Sequence, residues 1–359
     1  MSASQARTPV CIITGFLGSG KTTLLNHVLA DPRMAGAAVI INEFGEIGLD
    51  HLLIATPSEN TVLLSSGCIC CTVRGDLVDT LRDLDAQRCK GSLPPFDRVL
   101  IETTGLADPV PIIQTVVTDE KAALRFELDS VVTLVDAVNG MAQLDRQPEA
   151  LKQVAVADRL LITKTDLAEG RVTDALQQRL SQLNPGALMQ TVSQGRTDPS
   201  QLFGAALKPD ARGADLTRWL RDDAIANAAR AAHADHGHDD HIRSVCIYLD
   251  EPVSSMGMTA WLTALASLRG ANLLRVKALL NVEGAPVAVH AVQTLIHEPI
   301  ALAQWPDADR RSRLVFISRD MAREAIEATL DVLRLKPSLP GKLDPRAYAQ
   351  FVSAMTKVH

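Results

Sequence analysis

GFLGSGKT, residues 15–22, lies between an apolar run, VCIITG at 10–15, and a helical pattern, KTTLLNHVLAD at 21–31. It satisfies the phosphate-loop pattern of Gly, four residues and Gly-Lys-Ser/Thr. In that arrangement the Lys21 ammonium reaches the β- and γ-phosphate oxygens and the Thr22 hydroxyl binds Mg²⁺. We expect this loop to be exposed and Lys21 to have no role in packing. A glycine-rich turn with an accidental lysine is the alternative, but the flanking strand and helix favour a nucleoside triphosphate site.

Apolar runs bounded by turn residues alternate with helical patterns around and beyond this loop. Continuous runs rich in β-branched residues and Leu are typical of strands buried on both faces, hence of a parallel sheet covered by helices. The sequence therefore predicts an α/β fold with a doubly wound, mostly parallel sheet. The predicted strands are VCIITG (10–15), AAVIIN (37–42), NTVLL (60–64), RVLIETTG (98–105), DSVVTLVDA (129–137), DRLLITK (158–164) and ALMQTVS (187–193).

A second pattern begins at Ile242, after a change of composition near Leu207. Its strands are expected to pair across a turn at Glu283 and Gly284, with two helices on one face, which predicts a smaller α+β domain. The predicted strands are 243–250, 273–284, 285–298 and 312–319, and the predicted helices are 254–268 and 320–334. The 359 residues therefore divide into a phosphate-loop domain at 1–208, a His- and Asp-rich linker at 209–241, the α+β domain at 242–335 and a tail at 336–359.

The composition limits the classes of partner. A formal net charge of −6 gives no electrostatic footprint for a phosphate backbone, so we expect no nucleic-acid partner. The N-terminus lacks the pattern of a signal peptide, and no segment offers about 18 uninterrupted apolar residues. We therefore expect a cytoplasmic protein without a membrane partner.

A second stretch, LLITKTDL at 160–167, concerns the base of the nucleotide. In guanine-specific enzymes an Asn/Thr-Lys-x-Asp element places its Asp carboxylate against the N1–H and N2 amino donors of guanine, which adenine lacks. Asp166 and Lys164 fit these roles, with the Lys164 stem over the base. Thr163 stands where the commonest pattern has Asn. The alternative is a strand end at Thr163 followed by Asp166 as a helix N-cap.

The acid that organises Mg²⁺ and the hydrolytic water is expected at the end of another central strand. RVLIETTG supplies Glu102, and Gly105 lets the backbone approach the γ-phosphate. Because Glu is rarely buried without a partner, a solvated strand end is the alternative. The acidic stretch NEFGEIGLD at 42–50 is a candidate switch loop that orders on the γ-phosphate, or else an ordinary solvated loop.

Three of the six cysteines, Cys68, Cys70 and Cys71, lie within four positions. In a reducing cytosol such a cluster indicates metal or redox chemistry rather than a disulfide framework. A loop that brings three thiolates together suits Zn²⁺ and Cu⁺, and Co²⁺ and Ni²⁺ accept mixed thiolate sites. A redox pair and an inert packed cluster are the alternatives, although adjacent cysteines bridge poorly. Cys11 and Cys246 lie in apolar strands, where we expect core positions.

The predicted linker contains HADHGHDDH at 233–241. Neutral imidazoles and carboxylates at short spacing chelate Zn²⁺, Ni²⁺ or Co²⁺, so this tract is a candidate accessory metal store. A solvated low-complexity loop is the alternative of equal weight. The candidate ligands are His233, His236, His238 and His241.

The chain resembles the CobW-like family of metallochaperone GTPases, relatives of the hydrogenase and urease nickel-insertion GTPases. The resemblance runs from about Val10 to about Ser318 and includes that family's smaller domain. This combination is far more specific than any single motif. The motifs that carry it, in order, are GFLGSGKTTLLNH, NEFGEIGLD, GCICC, ETTGLADP and TKTD.

The resemblance implies a role for each matching residue. Lys21 and Glu102 are the expected catalytic residues, and Ile41 stands where some relatives have an acidic residue. The expected Mg²⁺ ligands are Thr22, Asp50 and Glu102. The expected transition-metal ligands are Cys68, Cys70 and Cys71, with Glu46 nearby. The expected nucleotide contacts are Gly15, Gly18, Ser19, Gly20, Lys21, Thr22, Thr23, Gly105, Lys164, Asp166 and Ser193.

The resulting interpretation is a GTPase of low intrinsic rate that uses GTP and Mg²⁺. It binds a transition metal, zinc or cobalt ahead of nickel or iron, and delivers that metal to a client metalloprotein. A homo-oligomer that depends on nucleotide or metal is a further expectation. One rival is a metal-storage or sensing module with the nucleotide as a structural ligand. A second is a small-molecule kinase, which would need an acceptor pocket with a base where this sequence has a cysteine loop.

Overall fold

The computed structural model describes residues 7–42, 62–66, 73–207, 219, 221, 242–268 and 272–335. The chain divides into two compact units. The N-terminal unit comprises Met1–Leu180 and Ala187–Ala206, and the C-terminal unit comprises Ser181–Gly186 and Leu207–His359.

A seven-stranded sheet forms the centre of the N-terminal unit, and its strand pairings are all parallel. Its strands are β1 (Thr8–Gly15), β2 (Ala37–Asn42), β3 (Val62–Ser66), β4 (Arg98–Glu102), β5 (Phe126–Asp136), β6 (Arg159–Thr163) and β7 (Leu188–Val192). The spatial order is β3-β2-β4-β1-β5-β6-β7, so the chain adds strands first on one side of β1 and then on the other. This is a doubly wound sheet, and the predicted fold class is confirmed.

Helices connect the parallel strands of this unit. Ile13 of the sheet packs with Leu24, Leu25 and Val28 of the first helix, and all four side chains are fully buried. Burying an aliphatic side chain contributes about 1.5–3 kcal/mol, so this contact anchors the phosphate loop to the sheet. The helices are α1 (Lys21–Leu29), α2 (Val73–Cys89), α3 (Val110–Thr118), α4 (Glu120–Arg125), α5 (Gly140–Arg146), α6 (Pro148–Val156) and α7 (Gly170–Leu183), with 3-10 turns at Pro32–Met34 and Pro199–Leu202.

An antiparallel sheet forms the C-terminal unit. Its strands are β8 (Ile242–Leu249), β9 (Leu273–Val282), β10 (Ala285–Val292), β11 (Leu295–Ile296), β12 (Ile300–Ala301) and β13 (Ser312–Arg319). They follow the order β11-β10-β9-β13-β8, and β12 also pairs with β10. The helices are α8 (Ser255–Leu268) and α9 (Arg323–Leu330), and a 3-10 turn follows at Asp331–Arg334.

The predicted hairpin turn is present between β9 and β10. Val282 pairs with Ala285, and the two residues between them, Glu283 and Gly284, have φ values of 52° and 96°. Two positive φ values define the turn that matches the twist of paired strands.

The core of the C-terminal unit centres on one tryptophan. Trp261 of α8 is fully buried and meets Phe316 of β13 edge-to-face, with ring centroids 6.2 Å apart. Cys246 in this unit and Cys11 in the N-terminal unit are both buried, as predicted. In the described parts of the chain, the helices are too short or too polar to cross a membrane.

Candidate nucleotide-binding site

The phosphate loop joins the end of β1 to the start of α1. Lys21 is only 9% exposed, and its ammonium donates to the carbonyl oxygens of Gly15 (2.8 Å) and Phe16 (3.3 Å). The expectation that Lys21 is exposed and has no packing role is therefore wrong, because the loop wraps around the ammonium and supplies carbonyl oxygens in place of water. Of the other predicted contacts, Gly15 and Ser19 are buried, Gly20 and Thr22 are half-buried, and Gly18 and Thr23 are exposed.

Ser19 supplies a buried hydroxyl inside this loop. The residue is 1% exposed, and its Oγ has no hydrogen-bond partner among the described residues. An unsatisfied buried hydroxyl costs about 1–3 kcal/mol. A phosphate oxygen would relieve that cost, and the loop's backbone N–H groups and ammonium suit the same anion. The residues present therefore fit a nucleotide's phosphates.

The loop after β4 lies directly against the phosphate loop. Glu102 ends β4 opposite Ile13 of β1 and is 3% exposed, so the solvated strand end considered above does not describe it. A Cβ at Gly105 would lie 2.6 Å from the Leu17 amide nitrogen, a distance that real Cβ atoms do not reach. Glycine at this position therefore lets the two loops touch. Thr103 adds a further tie, since its amide donates to the Ile13 carbonyl at 2.9 Å.

The predicted base-recognition loop follows β6 at the same edge of the sheet. The Thr163 hydroxyl donates to the Ser19 carbonyl oxygen at 2.8 Å, which joins this loop to the phosphate loop. Asp166 is exposed, and α7 begins only at Gly170, so Asp166 does not occupy the N-cap position considered as the alternative. Thr163, which stands where the commonest pattern has Asn, thus connects the two loops through its hydroxyl.

Lys164 is held by a residue that the sequence analysis missed. Its ammonium donates to Oδ2 of Asp136 at 2.7 Å, and the Asp136 side chain is 1% exposed. Burial raises the pKa of Asp136, but hydrogen bonds from Lys164, Asn139 and the Val138 amide outweigh it and hold that pKa below its ordinary value. Asp136 ends β5 as Glu102 ends β4, and that shared strand-end position is the signal that would have identified it.

The loop after β7, which contains Ser193, contacts the first turn of α1. A Cβ at Gly195 would lie 2.7 Å from the Thr23 carbonyl oxygen, and the Gly195 φ of +73° also favours glycine. Ser193 itself is exposed, and its carbonyl accepts from the Arg196 amide at 2.9 Å. This loop therefore lies against the first turn of α1, next to the phosphate loop, and a contact of Ser193 with the base stays a prediction.

The predicted transition-metal ligands, and one predicted Mg²⁺ ligand, Asp50, lie outside the described residues. Within the described ranges, no group of three or more His, Cys, Asp or Glu side chains is placed to hold a metal ion. The strands that lead to the metal motif are described: Asn42 at the end of β2 pairs with Ser66 at the end of β3. The predicted ligands outside the description are Glu46, Asp50, Cys68, Cys70, Cys71, His233, His236, His238 and His241.

A phosphate loop after β1, an acid at the end of β4 and a Thr-Lys-x-Asp element that begins at the end of β6, on one parallel sheet, define a phosphate-loop nucleotide-binding protein. Residues 9–191 match the family described as "CobW/HypB/UreG, nucleotide-binding domain", and residues 242–334 match the "Cobalamin synthesis protein cobW C-terminal domain". The chain belongs to this family, and the resemblance inferred from its motifs is confirmed.

Relatives of this chain include proteins named for zinc. The zinc chaperone YjiA of Escherichia coli is 36% identical over 327 residues, which cover 90% of this chain and 98% of the relative. The zinc-regulated GTPase metalloprotein activator 1 of Schizosaccharomyces pombe is 35% identical over 197 residues, which cover 53% of this chain and 47% of the relative. A crystal structure of the Zn(II)-bound YjiA GTPase from E. coli superposes with a TM-score of 0.71 and 32% identity, covering 92% of this chain and all of that one.

Proposed function

We propose that this chain is a GTP-hydrolysing metallochaperone that binds Zn²⁺ and delivers it to a client metalloprotein. The observation that carries the proposal is the meeting of three loops at the carboxyl edge of one parallel sheet: the phosphate loop, the Glu102 loop and the Lys164–Asp166 loop. Membership of the family and the names of the relatives support both the GTPase activity and the choice of zinc, with cobalt second.

Guanine is the base that the third loop suits best. Lys164 is oriented by its hydrogen bond to the buried Asp136 carboxylate, and the Asp166 carboxylate is exposed where it meets no competing donor in α7. Asp166→Asn should lose the preference for GTP over ATP and gain binding of xanthosine triphosphate, because the extra carbonyl of xanthine accepts from an amide. Equal competition by ATP against GTP in the parent protein would contradict the guanine assignment.

Mg²⁺ would be held by oxygen ligands on the nucleotide's phosphates and on this chain. Glu102, buried beside the phosphate loop, and the half-buried Thr22 hydroxyl fit the hard oxygen donors that Mg²⁺ prefers, with Asp50 as the third predicted ligand. The ion would neutralise developing charge on the transferred phosphoryl group. We propose that Lys21 does the same from within the loop and that Ser193 approaches the base.

Zinc would be held by Cys68, Cys70 and Cys71, with Glu46 as an oxygen ligand. Support comes from the described strand β3, which ends at Ser66, only two residues before Cys68, at the carboxyl edge that carries the phosphate loop. A metal loop and a nucleotide loop on one edge can share an ordering transition, so that metal and nucleotide affinities are reciprocally coupled. The His tract at 233–241 would serve as an accessory store.

The remaining features of the proposal concern organisation and partners. We propose domain boundaries after residues 208, 241 and 335, a cytoplasmic location, and a homo-oligomer that depends on nucleotide or metal. The family matches at 9–191 and 242–334 support the first of these. The client is a metalloprotein, by analogy with the name of the S. pombe relative.

Metal titration of the full chain tests the zinc site. Co²⁺ bound by thiolates should give intense sulfur-to-metal charge-transfer absorption in the near ultraviolet, and Cys70→Ser should weaken Zn²⁺ affinity by orders of magnitude while GTP affinity without metal stays constant. Deletion of 233–241 is the matched control and should leave the band in place. An unchanged band and affinity in Cys70→Ser would remove the metallochaperone proposal and leave a GTPase. Single-turnover consumption of GTP, even with metal and client present, would instead favour the storage module.

A further inference from the structure

Gln153, on α6, contacts the loop after β4 and has no place in the predicted site. The residue is 1% exposed. Its side-chain amide nitrogen donates to the carbonyl oxygens of Gly105 and Ala107, each at 3.1 Å. Both amide hydrogens are therefore used on two residues of one loop.

Packing alone does not explain an amide at this position. The Gln153 Oε1 atom is buried and has no hydrogen-bond partner among the described residues, which costs free energy that an apolar side chain of similar volume would avoid. In the structure the amide instead donates hydrogen bonds to two carbonyl oxygens.

Those two carbonyl groups belong to the loop that approaches the triphosphate. Gly105 lies against Leu17 of the phosphate loop, and Glu102 stands at the start of the same short segment. The Thr104 hydroxyl between them is also buried and has no hydrogen-bond partner among the described residues. A polar atom in that state, next to a phosphate loop, suits a γ-phosphate or its attacking water.

Gln153 is itself fixed to the sheet. Its backbone carbonyl oxygen accepts from the Thr133 hydroxyl of β5 at 2.8 Å. The neighbouring Lys152 ammonium donates to Asp108 at 3.2 Å, which ties the end of the same loop to α6. Helix α6 is therefore tied both to the sheet and to the loop that Gln153 contacts.

We infer that Gln153 is a positioning residue, whose amide holds the segment from Glu102 to Ala107 in place against the phosphate loop for the γ-phosphate. This inference rests on the proposed GTPase function. It predicts that Gln153 affects the binding and hydrolysis of GTP and not the binding of GDP, because GDP lacks the γ-phosphate that this segment would contact.

The test is Gln153→Met in the full chain, which keeps the side-chain volume and removes both donors. We expect kcat for GTP to fall by about tenfold or more, because displacement of about 1 Å costs up to about 100-fold. The affinity ratio of a non-hydrolysable GTP analogue to GDP should fall with it, while GDP affinity itself stays within about twofold. Gln143→Met is the matched control, since Gln143 lines the same small cavity behind the phosphate loop as Gln153, and it should behave as the parent.

Two results would overturn the inference: a folded Gln153→Met with the parent's kcat and affinity ratio, or an equal loss of GTP and GDP, which indicates a purely structural role. If Gln153→Met does not fold, the parent provides the second measurement. The Gln153 side-chain amide hydrogens should exchange slowly with the GTP analogue bound, and exchange as fast as in a solvated glutamine would contradict the contact. A parent that binds both nucleotides without hydrolysis would remove the proposed function, while the affinity ratio would still decide the inference.

Discussion

The two sheets of this chain place their polar residues in opposite ways. In the N-terminal unit every strand runs in the same direction, so Gly15, Glu102, Asp136 and Thr163, which end four different strands, all lie at one edge. In the C-terminal unit neighbouring strands run in opposite directions, and their ends alternate between two edges. Parallel topology thus concentrates strand-end chemistry at one edge, whereas antiparallel topology distributes it.

In the antiparallel sheet, the polar side chain of Asn281 stabilises a turn. The Asn281 side chain of β9 donates to the Arg310 carbonyl and accepts from the Gly284 backbone N–H. The backbone N–H of Asn281 donates to the Ser312 hydroxyl at 2.9 Å. Among the described residues, buried oxygens without a hydrogen-bond partner occur in both units, for example in Ser318 of β13, but those of Ser19 and Thr104 lie within or beside the phosphate loop. Satisfied polar groups specify a fold, and unsatisfied ones that cluster at one place indicate a ligand.

The substitution with the largest expected effect destabilises the C-terminal unit and leaves the nucleotide-binding edge of the N-terminal sheet unchanged. Trp261→Ala removes a fully buried indole and its edge-to-face contact with Phe316, so we expect a loss of about 3–5 kcal/mol in the free energy of unfolding. Because the predicted nucleotide contacts all lie in the N-terminal unit, GTP affinity should be unchanged at temperatures where the variant is folded. Chemical denaturation and nucleotide titration of the same sample check both. A parallel fall in GTP affinity would contradict this separation.

The second substitution weakens nucleotide binding and leaves both sheets folded. Lys21→Ala removes the ammonium from the phosphate loop and should weaken GTP binding by about 100-fold, or about 3 kcal/mol, since hydrogen bonds to charged groups are worth about 1.5–3 kcal/mol each. Loss of its bonds to Gly15 and Phe16 should also loosen the loop, with the secondary structure retained by circular dichroism. The control is Lys121→Ala, which removes an exposed lysine from the same unit. Equal GTP affinity in Lys21→Ala and the parent would remove the phosphate-loop assignment.

The sequence was sufficient to predict most of the strands, because continuous apolar runs bounded by turn residues are typical of buried strands, and also the loops whose motifs are contiguous. The run predicted as one strand at 285–298 is wrong: it forms β10 and β11, which pair antiparallel across a turn at Gln293 and Thr294. The sequence was insufficient for residues that act through contacts distant in sequence. Asp136 is 28 residues from Lys164, and Gln153 is 48 residues from Gly105, so neither pair forms a local pattern. A helical Gln is ordinarily solvated, and only the packing of α6 on the sheet shows that this one is buried.

A third, smaller effect concerns Asp136. Its carboxylate at the end of β5 can reach Lys164, which follows β6, because the two strands are parallel neighbours. Asp136→Asn removes the carboxylate that orients Lys164, so GTP affinity should fall by about tenfold while affinity for inorganic phosphate analogues stays constant. Since the pKa of Asp136 is lowered in the folded state, its carboxylate stabilises the fold above the usual pKa of about 3.9, and that contribution is lost as pH falls through the folded value.

Isothermal titration at neutral pH and acid unfolding check the two parts of this prediction. Asp145→Asn is the control, because Asp145 pairs with Arg179 in the same unit and its side chain is 53% exposed. The idea fails if Asp136→Asn and Asp145→Asn have the same GTP affinity and the same acid midpoint.

The smallest expected effect concerns the hydrogen bond from Thr163 to Ser19, which joins the base-recognition loop to the phosphate loop. Thr163→Val keeps the shape of the side chain and removes the donor to the Ser19 carbonyl oxygen, at a cost of about 1 kcal/mol. The midpoint temperature of thermal unfolding of the N-terminal unit should fall by about 2–4 °C, and GTP affinity should fall severalfold. Thr163→Asn, which restores the residue of the commonest pattern, should recover both if its amide reaches the same carbonyl.

An equal loss of GTP and ATP affinity in Thr163→Val would place the effect on the phosphate loop, and a loss confined to GTP would place it on the base-recognition loop. Unchanged affinity for both nucleotides would mean that the two loops, although they share an edge and a hydrogen bond, bind their parts of the nucleotide independently.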